Sequence, residues 1–292
     1  MNEREQTVEQ AVRTIRTALC PLYPAGEVEG FIRIIFRHLL HYEPVDILLR
    51  KDTVLPGFIP DKIDKVVEEL KKSRPVQYIF NEARFHGHDF YVDGSVLIPR
   101  PETEELVDII VDENGLSDLS VLDAGTGSGC IAISLALALK FPEVTAVDIS
   151  EKALEVARRN AAALNARNID FVCRDMLDMP VEVGKYDIIV SNPPYIAESE
   201  KAGMDRNVLD YEPSGALFVP DDDPLRFYKA LSRFGADALK PGGRLYFEIN
   251  SRFPAEIKKM LDADGYVDVE LLRDMQGLWR FARAHKRKDL IW

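Results

Sequence analysis

The chain has 292 residues, of which 46% are hydrophobic, and its formal net charge is −12. This length is enough for one large or two ordinary domains, and we expect two. The sequence contains no run of about 18 apolar residues, as a membrane-spanning helix requires, and its N-terminus is polar and acidic rather than signal-like. We therefore expect a soluble, cytoplasmic protein with no membrane partner.

The cysteines and histidines do not form a metal motif. No pair among Cys20, Cys130 and Cys173 has metal or redox spacing, which argues against a zinc site and a disulfide framework. His86 and His88 alternate within a predicted strand and would share one face. Two such ligands without a nearby third make a poor metal site, so we expect no metal.

The acidic charge is unevenly distributed along the chain. Residues 1–80 contain 12 Lys and Arg and 12 Asp and Glu, so the whole acidic excess lies downstream. This distribution argues against a broad phosphate-binding surface and against direct binding of nucleic acid. One basic cluster, formed by Arg280, Arg283 and residues 286–288, is explained by a solvated C-terminal edge as well as by any ligand.

Residues 1–74 are predicted to form a small helical bundle. Apolar residues recur at helical spacing within residues 8–19, 31–39 and 63–70, and prolines separate these stretches. A bundle of this kind has no chemistry of its own. We expect it either to recognise a partner or to stabilise the following domain, and the sequence favours neither role.

Residues 75–98 are predicted to form a hairpin connector at the domain boundary. Residues 85–92 and 95–98 have strand-like composition, and Asp93-Gly94 between them favours a tight turn. The next segment, Pro99 to Glu105, is predicted to start a helix at Glu104. Thr103 or the preceding loop would cap that helix.

Short apolar strands alternate with helices from Leu119 onward. The pattern predicts strands at 120–123, 144–148, 170–173, 186–191, 244–249 and 267–272, and helices at 130–139, 151–164, 224–239 and 255–264. This alternation predicts an α/β domain with a mostly parallel sheet covered on both faces. In such sheets a ligand binds at the carboxyl ends of the strands.

A glycine-rich loop joins the first of these strands to its helix. Gly125, Gly127 and Gly129 allow a tight turn and close approach of a ligand, and we assign the intervening Thr126 and Ser128 to the same cofactor site. The spacing differs from the dinucleotide fingerprint. Asp123, two residues before the first glycine, would repel a pyrophosphate but suits a ligand with an amine.

Acidic residues also end the next two strands. Asp148, 19 residues after Gly129, is placed to accept hydrogen bonds from ribose hydroxyls. Asp175 can bind an exocyclic amine, and Met176 can cover an adenine face. Amine, ribose and adenine without phosphate describe S-adenosylmethionine, and four such signals at successive strand ends make an incidental glycine turn a poor alternative.

Asn192-Pro193-Pro194-Tyr195 follows the apolar strand 186–191. Each proline forces the preceding residue into an extended conformation, so the loop is stiff. The side-chain oxygen of Asn192 and the carbonyl of Pro193 are acceptors that suit a planar NH2 group, and the Tyr195 ring can stack on an amide or a base. A proline turn that merely ends a strand is the alternative, and the glycine-rich loop upstream disfavours it.

The glycine-rich loop and Asn192 to Tyr195 together resemble the class I methyltransferases that act on planar nitrogens. Residues 74–79 (Arg-Pro-Val-Gln-Tyr-Ile) and 96–104 (Val-Leu-Ile-Pro-Arg-Pro-Glu-Thr-Glu) resemble the release-factor glutamine methyltransferases. Glu212-Pro213 and Ala216-Leu217 also match that family. Asn81, where the family often has glycine, and residues 247–250 depart from its pattern without touching the expected chemistry.

The resemblance implies a Rossmann-like methyltransferase domain at 99–292, with residues 1–74 recognising the substrate. It implies N5-methylation, from S-adenosylmethionine, of the glutamine in the Gly-Gly-Gln loop of peptide-chain release factors. Asn192 and Tyr195 would be catalytic, Pro193 and Pro194 would also contact the substrate, and Asn192 would contact the cofactor as well.

Two other functions fit the sequence. An adenine-N6 methyltransferase of nucleic acids would present an exocyclic amine to the same loop after flipping the base out. The acidic catalytic half weighs against this alternative. The second alternative is a non-catalytic module that binds a release factor through residues 1–74. The intact loop from Asn192 to Tyr195 and the intact cofactor residues weigh against it.

Overall fold

The computed structural model describes residues 5–288. Its helices are α1 (Val8–Leu19), α2 (Ala25–Leu40), α3 (Pro44–Leu49), α4 (Phe58–Lys71), α5 (Val76–Phe80), α6 (Pro101–Glu113), α7 (Cys130–Ala138), α8 (Glu151–Ala163), α9 (Arg206–Leu209), α10 (Arg226–Ala238) and α11 (Pro254–Ala263). Short 3₁₀ segments lie at Glu198–Gly203 and Ser214–Ala216. No helix in this part of the chain combines the length and hydrophobicity needed to span a membrane.

The strands are short and most follow the predicted pattern. They are β1 (Glu82–Phe85), β2 (His88–Tyr91), β3 (Ser120–Ala124), β4 (Glu143–Asp148), β5 (Ile169–Cys173), β6 (Tyr186–Ser191), β7 (Ile196–Ala197), β8 (Phe218–Val219), β9 (Leu239–Glu248), β10 (Val267–Arg273) and β11 (Trp279–His285). Small two-stranded sheets are formed by β1 with β2 and by β7 with β8.

The chain divides into two compact units. The first contains residues 1–81 together with Asp205–Tyr211, and the second contains the rest. The helical unit therefore extends beyond the predicted limit at residue 74, because α5 packs its Val76 into the same hydrophobic core as α1, α2 and α4. It also includes a segment from far along the chain, in which the hydroxyl of Tyr211 donates to the carbonyl of Lys72 at 2.9 Å.

The second unit is built on a seven-stranded sheet in the order β10-β11-β9-β6-β3-β4-β5. The strands from β9 to β5 are parallel to one another, while β11 is antiparallel to both β9 and β10. Alternate side chains of the central strand β6 face opposite sides: Ile188 and Val190 belong to one hydrophobic core and Ile189 to the other. The sheet is thus covered on both faces, and the predicted α/β architecture is confirmed.

The hairpin before the sheet differs from the prediction. The structure pairs β1 with β2 around His86-Gly87, whose φ angles are 46° and 80°, whereas residues 95–98 form no strand. Two consecutive positive φ angles are what a two-residue hairpin turn requires. His86 therefore lies in the turn, not in a strand with His88, and the predicted connector at 75–98 is replaced by α5, a hairpin at 82–91 and an irregular segment.

The C-terminal basic cluster is also corrected by the structure. Its first two arginines lie on β11, a strand that the sequence analysis missed, and this strand is inserted between β10 and β9. Arg280 pairs with Asp274, and Arg283 pairs with Glu113 and Glu270. These acids neutralise Arg280 and Arg283, so these two arginines do not belong to a solvated basic patch, whereas Arg287 and Lys288 are exposed.

Candidate active site

The carboxyl ends of three neighbouring strands meet at one edge of the sheet. Strand β3 runs into the glycine-rich loop, β4 ends at Asp148, and β6 runs into the loop beginning at Asn192. The hydroxyl of Ser191 donates to the carbonyl of Ala124 at 2.6 Å and ties two of these ends together. Residues that are distant in sequence are therefore brought together where an open α/β sheet binds its ligand.

The three glycines of the loop serve different purposes. All have positive φ, at 79°, 54° and 82° for Gly125, Gly127 and Gly129. A Cβ atom on Gly129 would lie 2.9 Å from Ile133 and 3.0 Å from Ala157, whereas one on Gly127 would meet no protein atom within 4 Å. Gly129 thus permits close helix packing, and Gly127 leaves open space beside the loop.

Asp123 is fully buried beneath this loop. Its Oδ2 accepts from the Thr126 hydroxyl at 2.6 Å and from the Ala132 amide at 3.1 Å, while Oδ1 has no hydrogen-bond partner among residues 5–288. Burial raises the pKa of Asp123 to about 7, with the nearby Asp148 adding to the effect. A buried carboxylate oxygen without a partner fits a cationic ligand group.

Asp148 lies at the mouth of the same site. Its Oδ2 accepts from the Gly127 amide and its Oδ1 from the Ser150 amide, both at 2.9 Å. Burial raises the pKa of this carboxyl, although these backbone donors oppose the shift. The carboxylate is thereby held in place, and each of its oxygens retains a lone pair for a ligand hydroxyl.

A cavity of about 430 Å³ lies over this edge of the sheet. It is lined by Ser95, Val96, Leu97, Gly125, Gly127, Asp148, Ile149, Ser150, Ala153, Asp175, Met176, Leu177, Asn192, Pro194, Pro213, Gly215, Ala216, Arg226 and Phe227. Most of the lining side chains are apolar, and the carboxylates among them are those of Asp148 and Asp175, as expected for a small-molecule site.

The predicted site residues divide into two groups around this cavity. Gly125, Gly127, Asp148, Met176, Asn192 and Pro194 line it. Asp123, Thr126, Ser128, Gly129, Pro193 and Tyr195 lie outside that lining. Of these, Thr126 and Ser128 are buried, and the Thr126 hydroxyl is occupied by Asp123.

Asn192 is oriented by a residue that the sequence analysis assigned to a helix cap. Thr103 instead lies buried in the first turn of α6, which begins at Pro101. The Asn192 Nδ2 donates to the Thr103 hydroxyl at 3.2 Å, and that hydroxyl donates to Glu248 Oε2 at 2.7 Å. This arrangement directs the amide oxygen of Asn192 away from Thr103.

Tyr195 is held from its hydroxyl end. The hydroxyl donates to Glu248 Oε1 at 3.0 Å and lies 3.5 Å from Arg280 Nη1, and Arg280 in turn pairs with the buried Asp274 at 3.0 Å. Burial, together with the nearby Glu248, raises the pKa of Tyr195 well above its usual range, so its hydroxyl stays protonated. The ring is therefore fixed beside the Asn192 loop.

An ion pair between the buried Glu212 and the half-buried Arg100 holds the segment before α6. Glu212 Oε1 accepts from Arg100 Nη2 at 2.5 Å, and its Oε2 accepts from the Ile98 amide at 3.2 Å. The neighbouring Pro213 lines the cavity, as do residues 95–97 on the other side of this contact. The Arg100–Glu212 pair therefore joins two parts of the cavity wall.

Comparisons with known proteins agree with this geometry. The family described as methyltransferase domain matches residues 116–267. A release factor glutamine methyltransferase of Bacteroides thetaiotaomicron is 44% identical over 273 residues, covering 93% of this chain and 98% of that protein. One from Flavobacterium psychrophilum is 41% identical over 274 residues, covering 92% and 96%.

The chain belongs to the release factor glutamine methyltransferase family. Its fold is also found in a methyltransferase from Pyrococcus furiosus, with a TM-score of 0.51 and 23% identity over 69% of this chain and 90% of that one. The predicted class I methyltransferase fold and the predicted cofactor, S-adenosylmethionine, are confirmed. The free Asp123 oxygen and the open space at Gly127 fit this cofactor.

The residues that support the Asn192 loop were not predicted from the sequence. Glu248 lies at the end of β9 within a segment judged irrelevant to the chemistry, and Arg280 was assigned to the surface. Glu248 is 1% exposed and its carboxylate binds two hydroxyl groups. A charged residue among apolar neighbours in a predicted buried strand is a signal that could have identified it.

The packing role of Gly129 and the ligand-space role of Gly127 can be separated by the substitutions Gly129→Ala and Gly127→Ala. Both substitutions strain a positive φ, but only Gly129→Ala crowds neighbouring atoms, so it should lower the free energy of unfolding by about 1–3 kcal/mol more than Gly127→Ala. Gly127→Ala should instead raise the Kd for S-adenosylmethionine by on the order of tenfold, because its Cβ occupies space at the cavity wall. Urea denaturation and calorimetric titration measure the two effects, and equal losses of stability would contradict the assignment.

Proposed function

We propose that the enzyme methylates the side-chain amide nitrogen (N5) of the glutamine in the Gly-Gly-Gln loop of peptide-chain release factors. The observation that carries this proposal is the orientation of Asn192 at the cavity wall, where Nδ2 is bound by Thr103 and the amide oxygen is left for a ligand. The names of the relatives from Bacteroides and Flavobacterium support the choice of substrate.

The nitrogen of a carboxamide is a poor nucleophile because its lone pair is delocalised into the carbonyl group. In the proposed mechanism, Asn192 Oδ1 and the Pro193 carbonyl accept the two amide hydrogens, and the Tyr195 ring packs against the amide plane. Such fixed acceptors stabilise the positive charge that develops on the nitrogen, by on the order of 3 kcal/mol per group. Bound S-adenosylmethionine would supply the methyl group from its positively charged sulfur, and the methylated nitrogen, being acidic, would then lose one proton to water.

The cofactor contacts are assigned to both sides of the glycine loop. We assign Asp148 to the ribose hydroxyls and Met176 to the adenine face, because both line the cavity and the Met176 Cε would lie 2.7 Å from a Cβ on Gly125. Asp123 is proposed to face the amine through its unpaired Oδ1. Thr126, Ser128 and Gly129 are proposed to shape the loop, because the Thr126 hydroxyl is bound to Asp123, a Cβ on Gly129 would crowd Ile133 and Ala157, and Ser128 lies buried between them in the chain.

We propose that the helical unit recognises the release factor. Its support is a set of large apolar side chains that remain exposed on and after α3: Val45, Leu48, Leu49 and Phe58 are 57%, 75%, 79% and 61% exposed. Exposed apolar side chains in such number favour contact with another protein. We also propose a cytoplasmic location, because the proposed substrate acts at the ribosome.

The substrate is tested by transfer of labelled methyl groups to a purified release factor. We expect label on the wild-type factor and none on a variant with the Gly-Gly-Gln glutamine replaced by alanine, because that side chain is the acceptor. Total RNA is assayed in parallel. Label on RNA alone would favour the adenine alternative, and label on neither would favour a non-catalytic module.

The role of Asn192 is tested by Asn192→Ala. Loss of the amide oxygen should lower kcat by on the order of 10²–10³-fold, the usual cost of removing one preorganised polar group. Cofactor binding should be partly retained, because Asn192 is one proposed contact and the glycine loop, Asp148 and Met176 remain. A variant with nearly normal kcat would rule out this role.

The role of Asp123 is tested by proton release on cofactor binding. A cation beside the carboxylate lowers its pKa from about 7, so binding at pH 7 should release roughly half a proton, with more release at pH 6 and almost none above pH 8.5. Calorimetric titrations in buffers of different ionisation enthalpy measure this release. Asp123→Asn should abolish it, and unchanged release in that variant would exclude Asp123 as its source.

A further inference from the structure

We propose that Glu248 is a positioning residue that sets the direction of the hydrogen bonds reaching Asn192, and thereby decides which end of the Asn192 amide faces the substrate. The inference rests on the proposed role of Asn192. It concerns a residue that touches neither the cavity nor a reacting atom, since Glu248 is 1% exposed and lies behind Thr103 and Tyr195.

The direction follows from the number of hydrogens available. An ionised carboxylate can only accept, so the single hydroxyl hydrogen of Thr103 must point to Glu248. The Thr103 oxygen can then only accept from its other neighbour. The Asn192 side chain must therefore turn its NH2 end to Thr103, at 3.2 Å, and its oxygen end away from it.

Without this hydrogen bond, the two orientations of the Asn192 side-chain amide would be nearly equal in energy. Its oxygen and nitrogen ends have almost the same shape, and only hydrogen-bond partners distinguish them. Within residues 5–288, Thr103 is the partner recorded for Nδ2, and no protein donor reaches Oδ1. Rotation of the amide by 180° would present two hydrogens to a substrate that also presents two hydrogens.

The groups around Glu248 oppose, without cancelling, the effect of burial on its pKa. Burial raises the pKa of Glu248, but the hydroxyl groups of Thr103 and Tyr195 and the positive charge of Arg280 lower it. Arg280 lies on the Tyr195 side, with its Nη1 at 3.5 Å from the Tyr195 hydroxyl. One carboxylate thus accepts from both hydroxyls at once.

The substitution Glu248→Gln removes the ability to accept hydrogen bonds at both ends of the side chain, while its shape is conserved. A glutamine amide has one accepting end and one donating end, so it cannot accept from both hydroxyls. Its oxygen should face Tyr195 and the Arg280 cation, which leaves its NH2 group facing Thr103. The Thr103 hydrogen then turns toward Asn192 and favours the reversed amide.

The orientation can be measured directly by nuclear magnetic resonance with ¹⁵N-labelled asparagine. The Asn192 amide signals are assigned by their loss in Asn192→Ala. In the wild-type protein we expect nuclear Overhauser contacts between the Asn192 NH2 hydrogens and the Thr103 methyl group, and in Glu248→Gln we expect these contacts to be lost. Persistence of the contacts in the variant would overturn the inference, whether or not the release factor is the substrate.

Kinetics provide the second test. Glu248→Gln and Thr103→Val should each lower kcat by on the order of 10- to 100-fold, less than removal of a directly acting group, with little change in the Kd for S-adenosylmethionine. Thr103→Ser keeps the hydroxyl and should restore most of the rate lost in Thr103→Val. The double variant Thr103→Val/Glu248→Gln should be little slower than Thr103→Val alone, because both act through one chain of hydrogen bonds.

Controls separate positioning from folding. Glu182→Gln makes the same chemical change at an exposed glutamate that pairs with Lys185, and should leave the rate and the Asn192 signals unchanged. Urea midpoints identify any variant that fails to fold. Independent, multiplicative losses in the double variant, or equal rates for Thr103→Val and Thr103→Ser, would overturn the inference. Failure of the wild-type enzyme to methylate release factors would instead overturn the proposed function.

Discussion

Three buried carboxylates hold the loops at the carboxyl edge of the sheet. Asp123 binds the glycine loop through Thr126 and the start of α7 through Ala132, while Glu212 binds Arg100 and the Ile98 amide. Glu248 joins α6 to the Asn192 loop. A buried carboxylate is costly unless donors satisfy it, and this requirement fixes where the surrounding loops can lie.

The features that could be predicted from sequence are those set by local interactions. The alternation of buried strands and amphipathic helices depends on neighbouring residues, and it predicted β3, β4, β5 and β6 within a residue or two. Strand β11 was missed because Arg280 and Arg283 interrupt its apolar pattern. Their charges are neutralised by Asp274, Glu270 and Glu113, and Glu113 lies at the end of α6, far away in sequence.

The position of the β1–β2 hairpin also could not be predicted from local sequence alone. Asp93-Gly94 and His86-Gly87 both have a glycine between strand-forming residues, so turn composition alone does not choose between them. The choice depends on which segments pair, and Phe85 and Phe90 settle it by packing both rings into the core beneath the sheet. The Asp93 carboxylate is used instead within its own loop, where it accepts from the Ser95 amide at 2.9 Å.

Part of the site could be predicted because two of its loops have properties that depend on local sequence. The stiffness of Asn192-Pro193-Pro194-Tyr195 and the freedom of the glycine loop are local properties, and they identified two walls of the cavity. The support behind them is not local, because Thr103 and Glu248 are 145 positions apart in the chain. Resemblance to the family marked residues 99–104 as important, but only the structure shows that Arg100 and Thr103 act through buried acids.

The buried acids Asp123 and Glu248 are held in different ways, and the difference suits their proposed tasks. Burial raises the pKa of Asp123 to about 7, and one of its oxygens has no donor, so its charge depends on whether a cation is present. Glu248 has a hydroxyl donor on each oxygen and Arg280 nearby, and these groups oppose the rise in its pKa that burial causes. A carboxylate that responds to a cation suits binding and release of a charged cofactor. A carboxylate with permanent partners suits a residue that must keep the Asn192 amide in one orientation through every turnover.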